Sequence, residues 1–142
     1  MKVLEQEKGK KKAIQLANSS KIVMLGTNGD DGYPNIKAML KAKNDGLKKF
    51  WFSTNTSSKR VKQLKENNKA CIYFANKILF KGLMLVGDIK ICDDLETKQM
   101  FWSKSDKQYY PLGVEDPDYV ILCFTASWGN FYSMLKNISF DV

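Results

Sequence analysis

Residues 50–64 read FWFSTNTSSKRVKQL. Aromatic residues typical of a β-strand lead into a run of hydroxyl and amide side chains, and a helical pattern follows. Ser57 or Ser58 is a candidate N-cap for this helix, whose first turn then carries Lys59 and Arg60. The stretch therefore predicts a strand, a short polar loop and a capped helix with a basic start.

A helix that begins in this way is suited to hold a phosphate group. Its first N–H groups have no partner within the helix, and the helix dipole adds positive charge at the same place. A phosphate there would also meet Thr54, Ser58, Lys59 and Arg60. Arg60 is the one arginine among 23 Lys and Arg residues. Its guanidinium group can pair with two phosphate oxygens at once, which an ammonium group cannot do.

The same residues also fit an ordinary surface helix. In that interpretation Val61 and Leu64 face the core, and a solvated basic face is formed by Lys59, Arg60, Lys62 and Lys65. Capped helices with basic first turns are common. These residues alone therefore leave both interpretations open.

Composition limits the kinds of function that the chain can have. It has no histidine among its 142 residues, which excludes a Ser-His-Asp or Cys-His arrangement, a histidine metal site and a histidine ligand to haem. We expect no metal site. An enzyme of this composition would leave the difficult chemistry to a bound organic cofactor. The catalytic residues cannot be named from the sequence.

The charge and the cysteines bear on location and partners. The net charge of +8 comes from dispersed lysines, apart from a dense run at residues 8–12, so a nucleic-acid-binding β-barrel is the last-ranked hypothesis. Cys71, Cys92 and Cys123 form no CxxC pair, which predicts reduced thiols in a cytoplasmic protein. No apolar run is long enough to span a bilayer, and no secretory signal is visible. We therefore expect no membrane partner.

The periodicity along the chain predicts a mainly β protein, a β-barrel with flanking helices and six to seven mostly antiparallel strands. The first helix, at residues 3–18, has Val3, Leu4, Ile14 and Leu16 as its apolar points and is interrupted or frayed near Gly9. A bulge or bend is expected at Gly82 or Gly87. Strands are predicted at residues 21–27, 33–43, 47–54, 70–75, 79–92, 119–126 and 138–141, with a hairpin turn at 28–32, helices at 58–67 and 95–103, and a connection at 128–132.

Taken in this order, three segments resemble the pyridoxamine 5′-phosphate oxidase-like flavin proteins, the FMN-binding split barrels, and among them the bacterial general stress type. They are the hairpin at residues 22–39, the opening stretch at 50–64, and the pair formed by Gly82…Gly87-Asp88 and residues 117–122. The resemblance implies a single split-barrel domain over residues 1–142, with an amino-terminal helix at 1–19 and the barrel at 20–142.

In that family FMN lies at a homodimer interface, and its phosphate is held at the start of the helix after the third strand. The resemblance places Lys59 and Arg60 on the phosphate with help from Ser58. Trp128 resembles an aromatic residue that contacts the flavin, either within one chain or from the partner subunit. Alternatively, Trp128 is a core residue near the end of a strand. The remaining cofactor-binding residues are Ser53 and Thr54 along the ribityl chain or ring edge, and Lys37, Ala38 and Met39 facing the isoalloxazine. Alternatively, Met39 packs in the core and Lys37 is exposed to solvent.

One departure limits the function that the resemblance implies. True pyridoxamine 5′-phosphate oxidases resemble one another in a carboxy-terminal arginine and histidine, and this chain has neither after Trp128. We therefore expect an FMN-binding flavoprotein, an oxidoreductase of unknown substrate that is not a true pyridoxamine 5′-phosphate oxidase. A flavin carrier or redox sensor without turnover is the alternative. FMN is expected ahead of a deazaflavin or FAD, with a small-molecule substrate or a nicotinamide electron donor as partner.

Overall fold

The computed structural model describes residues 2–142 of the chain, with side chains from residue 5 onward. Within that range the chain forms three α-helices, seven β-strands and two 3₁₀ turns, Lys104–Gln108 and Gly113–Glu115. The helices are α1 (Lys2–Ser19), α2 (Lys59–Glu66) and α3 (Leu95–Phe101). The strands are β1 (Ile22–Asn28), β2 (Pro34–Asp45), β3 (Lys49–Asn55), β4 (Lys69–Asn76), β5 (Lys81–Cys92), β6 (Tyr119–Ser133) and β7 (Lys136–Asp141).

The strands form one antiparallel sheet in the order β3-β2-β1-β4-β5-β6-β7, and an additional pairing of β3 with β6 closes it. Residues 119–125 of β6 pair with β3, whereas residues 128–133 pair with β7. Six strands therefore close a barrel, and β6 changes its neighbour halfway along its length. This confirms the prediction of a mainly β split barrel and sets the number of strands at seven.

The interior of the barrel is filled largely by alternate residues of β1, β3, β4 and β6. Phe50 is fully buried there, with its ring centroid 5.4 Å from that of Phe74 and 6.3 Å from that of Phe124. On β1 the inward positions are Val23, Leu25 and Thr27, all buried, while the residues between them are more exposed. The period of two that predicted these strands is therefore the period of the core.

Helix α1 runs unbroken through Gly9, so the predicted interruption there is wrong. A Cβ atom on Gly9 would lie 2.9 Å from Cδ1 of Ile138 on β7. The glycine allows close packing of the helix on the strand, and one glycine within a helix is tolerated at modest cost. Ala13 and Ala17 are fully buried. The side chains of Val3 and Leu4, which were predicted as apolar points of this helix, lie outside the described residues.

Strand β6 is longer than predicted. Residues 128–132, expected to form a connection, continue the strand to Ser133 and pair with β5 on one side and β7 on the other. The backbone hydrogen bonds of this segment are thus satisfied by two neighbours, which a single-sequence pattern does not show. The predicted bulge is present at one of the two glycines: the register between β5 and β6 shifts at Val86/Gly87.

Helix α3 and the segment after it cover part of the outer side of the barrel. The ring of Phe101 stacks 5.9 Å from that of Trp51, and Tyr119 packs 5.0 Å from both Trp102 and Tyr110. The buried Lys98 donates from Nζ to the carbonyl oxygen of Asp116 at 3.1 Å. In the segment between α3 and β6, Tyr110 is therefore packed, whereas Tyr109 is exposed.

Candidate anion-binding site

Helix α2 begins with a side-chain cap. Ser58 has extended backbone angles, and its Oγ accepts a hydrogen bond from the N–H of Val61 at 3.3 Å. Ser58, rather than Ser57, is thus the N-cap. The N–H groups of Lys59 and Arg60 belong to the first turn and have no partner within the helix. Val61 and Leu64 are buried, as the helical pattern predicted.

A buried polar pair fixes α2 against β1. Oγ1 of Thr27 donates to Oε1 of Gln63 at 2.7 Å, and both residues are buried. No local sequence pattern predicted this pair. The sequence does contain one indication of the position of Gln63. It follows Arg60 by three residues in the helix, and this spacing puts both side chains on the same face. Thr27 continues the inward alternation of β1, which predicted its burial but not its partner.

A cleft of about 160 Å³ lies between this end of α2 and strand β2. It is lined by Thr27, Asn35, Ile36, Lys37, Lys59, Arg60 and Gln63. Three of these seven described residues are cationic and none is acidic. Their positive potential is therefore not neutralised by a carboxylate in the lining, and the cleft attracts anions.

Arg60 has an atom that the protein leaves without a partner. Its Nε is the one buried side-chain nitrogen or oxygen, within the part of the chain that the structure describes, that makes no hydrogen bond. A buried polar group costs free energy unless it is hydrogen-bonded, and the cost is larger for a charged group. An anion in the cleft would supply the missing acceptor.

Asp118 holds the loop in front of α2. Its Oδ1 accepts from the N–H of Ser57 at 2.9 Å and from Oγ1 of Thr56 at 3.0 Å, and its Oδ2 accepts from Oγ of Ser57 at 3.3 Å. The bond from the Ser57 N–H, followed by those from the hydroxyl groups, keeps the pKa of Asp118 below its ordinary value. The first turn of α2 is therefore positioned by protein contacts before any ligand is present. No sequence motif pointed to this role.

The structure brings Lys37, Lys59 and Arg60 together at the cleft, with the cap Ser58 directly before them. Thr54 is buried on the inner side of β3, whereas Ser53 alternates to the opposite side and pairs with Ile121. These two neighbouring residues therefore face different sides of the sheet.

The other predicted cofactor contacts lie outside the cleft. Met39 is buried in the core, and Ala38 is exposed on the outer side of β2. Trp128 is 41% exposed on β6, which is separated from β1 by β4 and β5. Within one chain, Trp128 therefore does not line the cleft.

An apolar surface adjoins the cleft on the outer side of β1 and β2. In the pairing of β1 with β2, Met24 lies opposite Ala38 and Ile22 lies opposite Leu40, so the four side chains share one face of the sheet. We call this surface the outer patch; it consists of Ile22, Met24, Ile36, Ala38 and Leu40, all exposed. A contiguous apolar surface of this kind is typical of an interaction site.

Between residues 2 and 142, no helix is both long enough and apolar enough to cross a bilayer. The described side chains also include no group of three or more His, Cys, Asp or Glu residues suited to hold a metal ion.

The fold and the cleft define a class of protein: a closed antiparallel split barrel with a cationic site at its second helix. The family model described as pyridoxamine 5′-phosphate oxidase matches residues 10–133, and the chain belongs to this family. Among curated proteins, no match was found.

Solved structures agree with the family assignment. A protein from Clostridium acetobutylicum, related to general stress protein 26 of B. subtilis and of the pyridoxinephosphate oxidase family, is 58% identical, with 96% of each chain covered and a TM-score of 0.86. General stress protein 26 from Bacillus anthracis is 20% identical over 94% of this chain and 98% of that chain, with a TM-score of 0.74. A pyridoxamine 5′-phosphate oxidase-related, FMN binding protein from Nostoc punctiforme is 14% identical over 93% of each chain, with a TM-score of 0.69. The last two show the likeness of fold alone.

Proposed function

We propose that the protein binds FMN and that the cleft at the start of α2 receives its phosphate group. The observation that carries this proposal is the buried, unpartnered Nε of Arg60 in a cleft that also has Lys37 and Lys59 and no acidic residue. A phosphate offers several acceptor oxygens and negative charge, which match both the guanidinium fork and the free N–H groups of the helix. The small volume of the cleft suits a phosphate rather than a whole flavin.

Each residue at the cleft would have a separate role in binding FMN. Arg60, Lys59 and the first N–H groups of α2 hold the phosphate, while Ser58 and Asp118 keep these groups in position. The exposed Ala38 offers the flavin ring a surface beside the cleft; the buried Met39 offers none through its side chain. Lys37 adds a positive charge at the rim, which favours negative charge on a reduced flavin. A bound flavin supplies electron transfer, and this histidine-free chain supplies binding, orientation and charge.

The test compares FMN with riboflavin, which has the same ring and no phosphate. We expect the purified protein to bind FMN at least about a hundredfold more tightly than riboflavin, because charge-assisted hydrogen bonds of about 1.5–3 kcal/mol each are lost without the phosphate. Quenching of flavin fluorescence measures both affinities. Equal affinities, or no uptake of FMN, would contradict the proposal. Anaerobic reduction of the loaded protein by NADH or NADPH then separates the proposed oxidoreductase from a flavin carrier, which would show no saturable rate.

We further propose that two copies associate through the outer patch. The patch leaves large apolar side chains in water on a flat strand face, and a two-fold contact would bury the same surface on both copies. In such a dimer the partner could supply Trp128 or another group to the flavin, as the family resemblance implies.

Replacing Leu40 with glutamate tests this association. Leu40 is 66% exposed, so the folded chain should tolerate the change, but a two-fold contact would bury an unpaired carboxylate on each copy. We expect the dissociation constant of the dimer to rise at least about a hundredfold, because burying an unpaired charge costs several kcal/mol. Light scattering at a series of concentrations gives the mass. Leu95→Glu, at an exposed apolar residue of α3, is the matched control. A monomeric parent protein, or the same mass for both variants, would rule out the outer patch as the contact.

A further inference from the structure

Two hairpin tips expose large apolar side chains next to each other. Phe80 accepts a backbone hydrogen bond from the N–H of Met134 at 3.4 Å, and its ring lies 5.8 Å from that of Tyr132. The tip between β4 and β5 and the tip between β6 and β7 are therefore joined. We call this surface the tip patch; it consists of Ile78, Leu79, Phe80, Met134 and Leu135, with exposed fractions of 93%, 54%, 66%, 75% and 100%.

The backbone of both tips is unusual. Phe80 (φ 50°) and Met134 (φ 60°) are the two non-glycine residues with positive φ in the described part of the chain. A bulky residue in this conformation is strained, and both residues lie in tight turns between strands, where positive φ angles occur. In the first tip, Oδ1 of Asn76 accepts from the N–H groups of Ile78 and Leu79, both at 3.1 Å. These N–H groups are thus paired inside the protein, which lowers the cost of moving the loop out of bulk water.

The surroundings of the tip patch carry positive charge. Lys77, Lys81 and Lys136 flank the apolar side chains, and residues 76–87 and 126–140 contain no acidic residue. A groove of about 860 Å³ beside the second tip adds Lys8 and Lys12 of α1, and Glu5 is the one acidic residue among its described lining. Two lysines of the dense amino-terminal run, Lys8 and Lys12, therefore lie beside the second tip, whereas Lys10 lies over the ring of Phe140.

We propose that the tip patch docks on the surface of an anionic phospholipid bilayer. The apolar side chains enter the headgroup region, while the lysines remain at its level and meet lipid phosphates. A two-fold contact between two copies at this place would bring lysines together without carboxylates to pair them. Nucleic acid would satisfy the lysines but would leave the apolar tips without a partner. Surface docking requires no spanning helix, so the proposal revises our expectation that the protein has no membrane partner.

Vesicle sedimentation with the full chain tests this proposal. We expect binding to vesicles that contain phosphatidylglycerol, little binding to phosphatidylcholine vesicles, and release at high salt. The double variant Ile78→Ser/Leu135→Ser changes two nearly fully exposed side chains, so its folding should be unaffected. Its affinity for the anionic vesicles should fall by at least about tenfold, because the transfer of two large aliphatic side chains is lost.

Leu112→Ser, at a 74% exposed leucine of the segment between α3 and β6, is the matched control and should bind like the parent protein. The mass of each variant is measured by light scattering before vesicles are added. Four results would overturn the proposal: no sedimentation with anionic vesicles, equal binding by the double variant, equal loss in the control, or a lower mass of the double variant in solution. The last result would assign the tip patch to a contact between copies. Because no flavin is needed, the outcome is independent of the proposed FMN site.

Discussion

Arg60→Ala will weaken FMN binding by at least about a hundredfold, because it removes a guanidinium group that makes two charge-assisted hydrogen bonds to a phosphate. Affinity for riboflavin should stay the same, since riboflavin has no phosphate. Arg60→Lys should lie between the parent protein and the alanine variant, because lysine keeps the charge and loses the fork. Fluorescence titration with both flavins measures each constant.

Stability without ligand is the second readout for Arg60. Its buried Nε has no partner in the protein, so its removal should cost the unliganded fold little. A structural arginine would behave in the opposite way, with a large loss of stability and no selectivity between the two flavins. Lys62→Ala is the matched control, because Lys62 is exposed on the same helix and does not line the cleft. An equal loss of FMN affinity in the control would show that general charge, rather than the cleft, attracts the cofactor.

Gly87→Ala will lower the free energy of unfolding by about 3 kcal/mol or more, at the upper end of the effect of overpacking. A Cβ atom on Gly87 would clash with the carbonyl oxygen of Thr125, where the register of β5 and β6 shifts. The obstructing atom belongs to the backbone of a paired strand and cannot rotate away. Urea unfolding followed by tryptophan fluorescence measures the change.

Gly26→Ala is the comparison for this stability prediction. A Cβ atom there would lie 2.7 Å from Sγ of Cys71, a side-chain atom that can move by rotation about its own bond. We expect a loss of about 1 kcal/mol, near the centre of the distribution for single substitutions. If both variants lost the same stability, the close backbone approach at Gly87 would not be the cause of its effect.

Much of the fold was predictable from local signals. The inward alternation of Val23, Leu25 and Thr27 marks β1, and the polar turn after it is closed by a hydrogen bond from the N–H of Gly29 to the carbonyl oxygen of Tyr33. The hydroxyl run before Lys59 marks the start of α2. These signals depend on neighbours within a few residues, which is why a single sequence contains them.

The errors share a different physical origin. Gly9 was expected to interrupt α1, but its role depends on Ile138, which is distant in the sequence. The second half of β6 was expected to be a connection, although pairing with β5 and β7 makes it a strand. In both cases a tertiary contact overrides the local preference.

At the candidate site, the opening stretch pointed to Lys59, Arg60 and the cap Ser58, and the family resemblance added Lys37, which the structure places at the same cleft. No local sequence pattern predicted a role at this site for Thr27, Gln63 or Asp118. Each of these residues acts through a partner from a distant segment: Thr27 and Gln63 through each other, and Asp118 through the loop at Ser57. The residue pattern of a single sequence does not show such distant partners. The roles assigned to these residues toward FMN stay predictions.

The divided pairing of β6 has a consequence for biosynthesis. Strand β3 meets β6 only after α2, β4, β5 and α3 have been made, so during translation the first five strands have no closing partner. Long-range pairings of this kind raise contact order and slow folding. Until residues 119–133 have been synthesised, the unpaired edge of β3 can pair with strands of other chains. Chaperones protect many proteins in such a state.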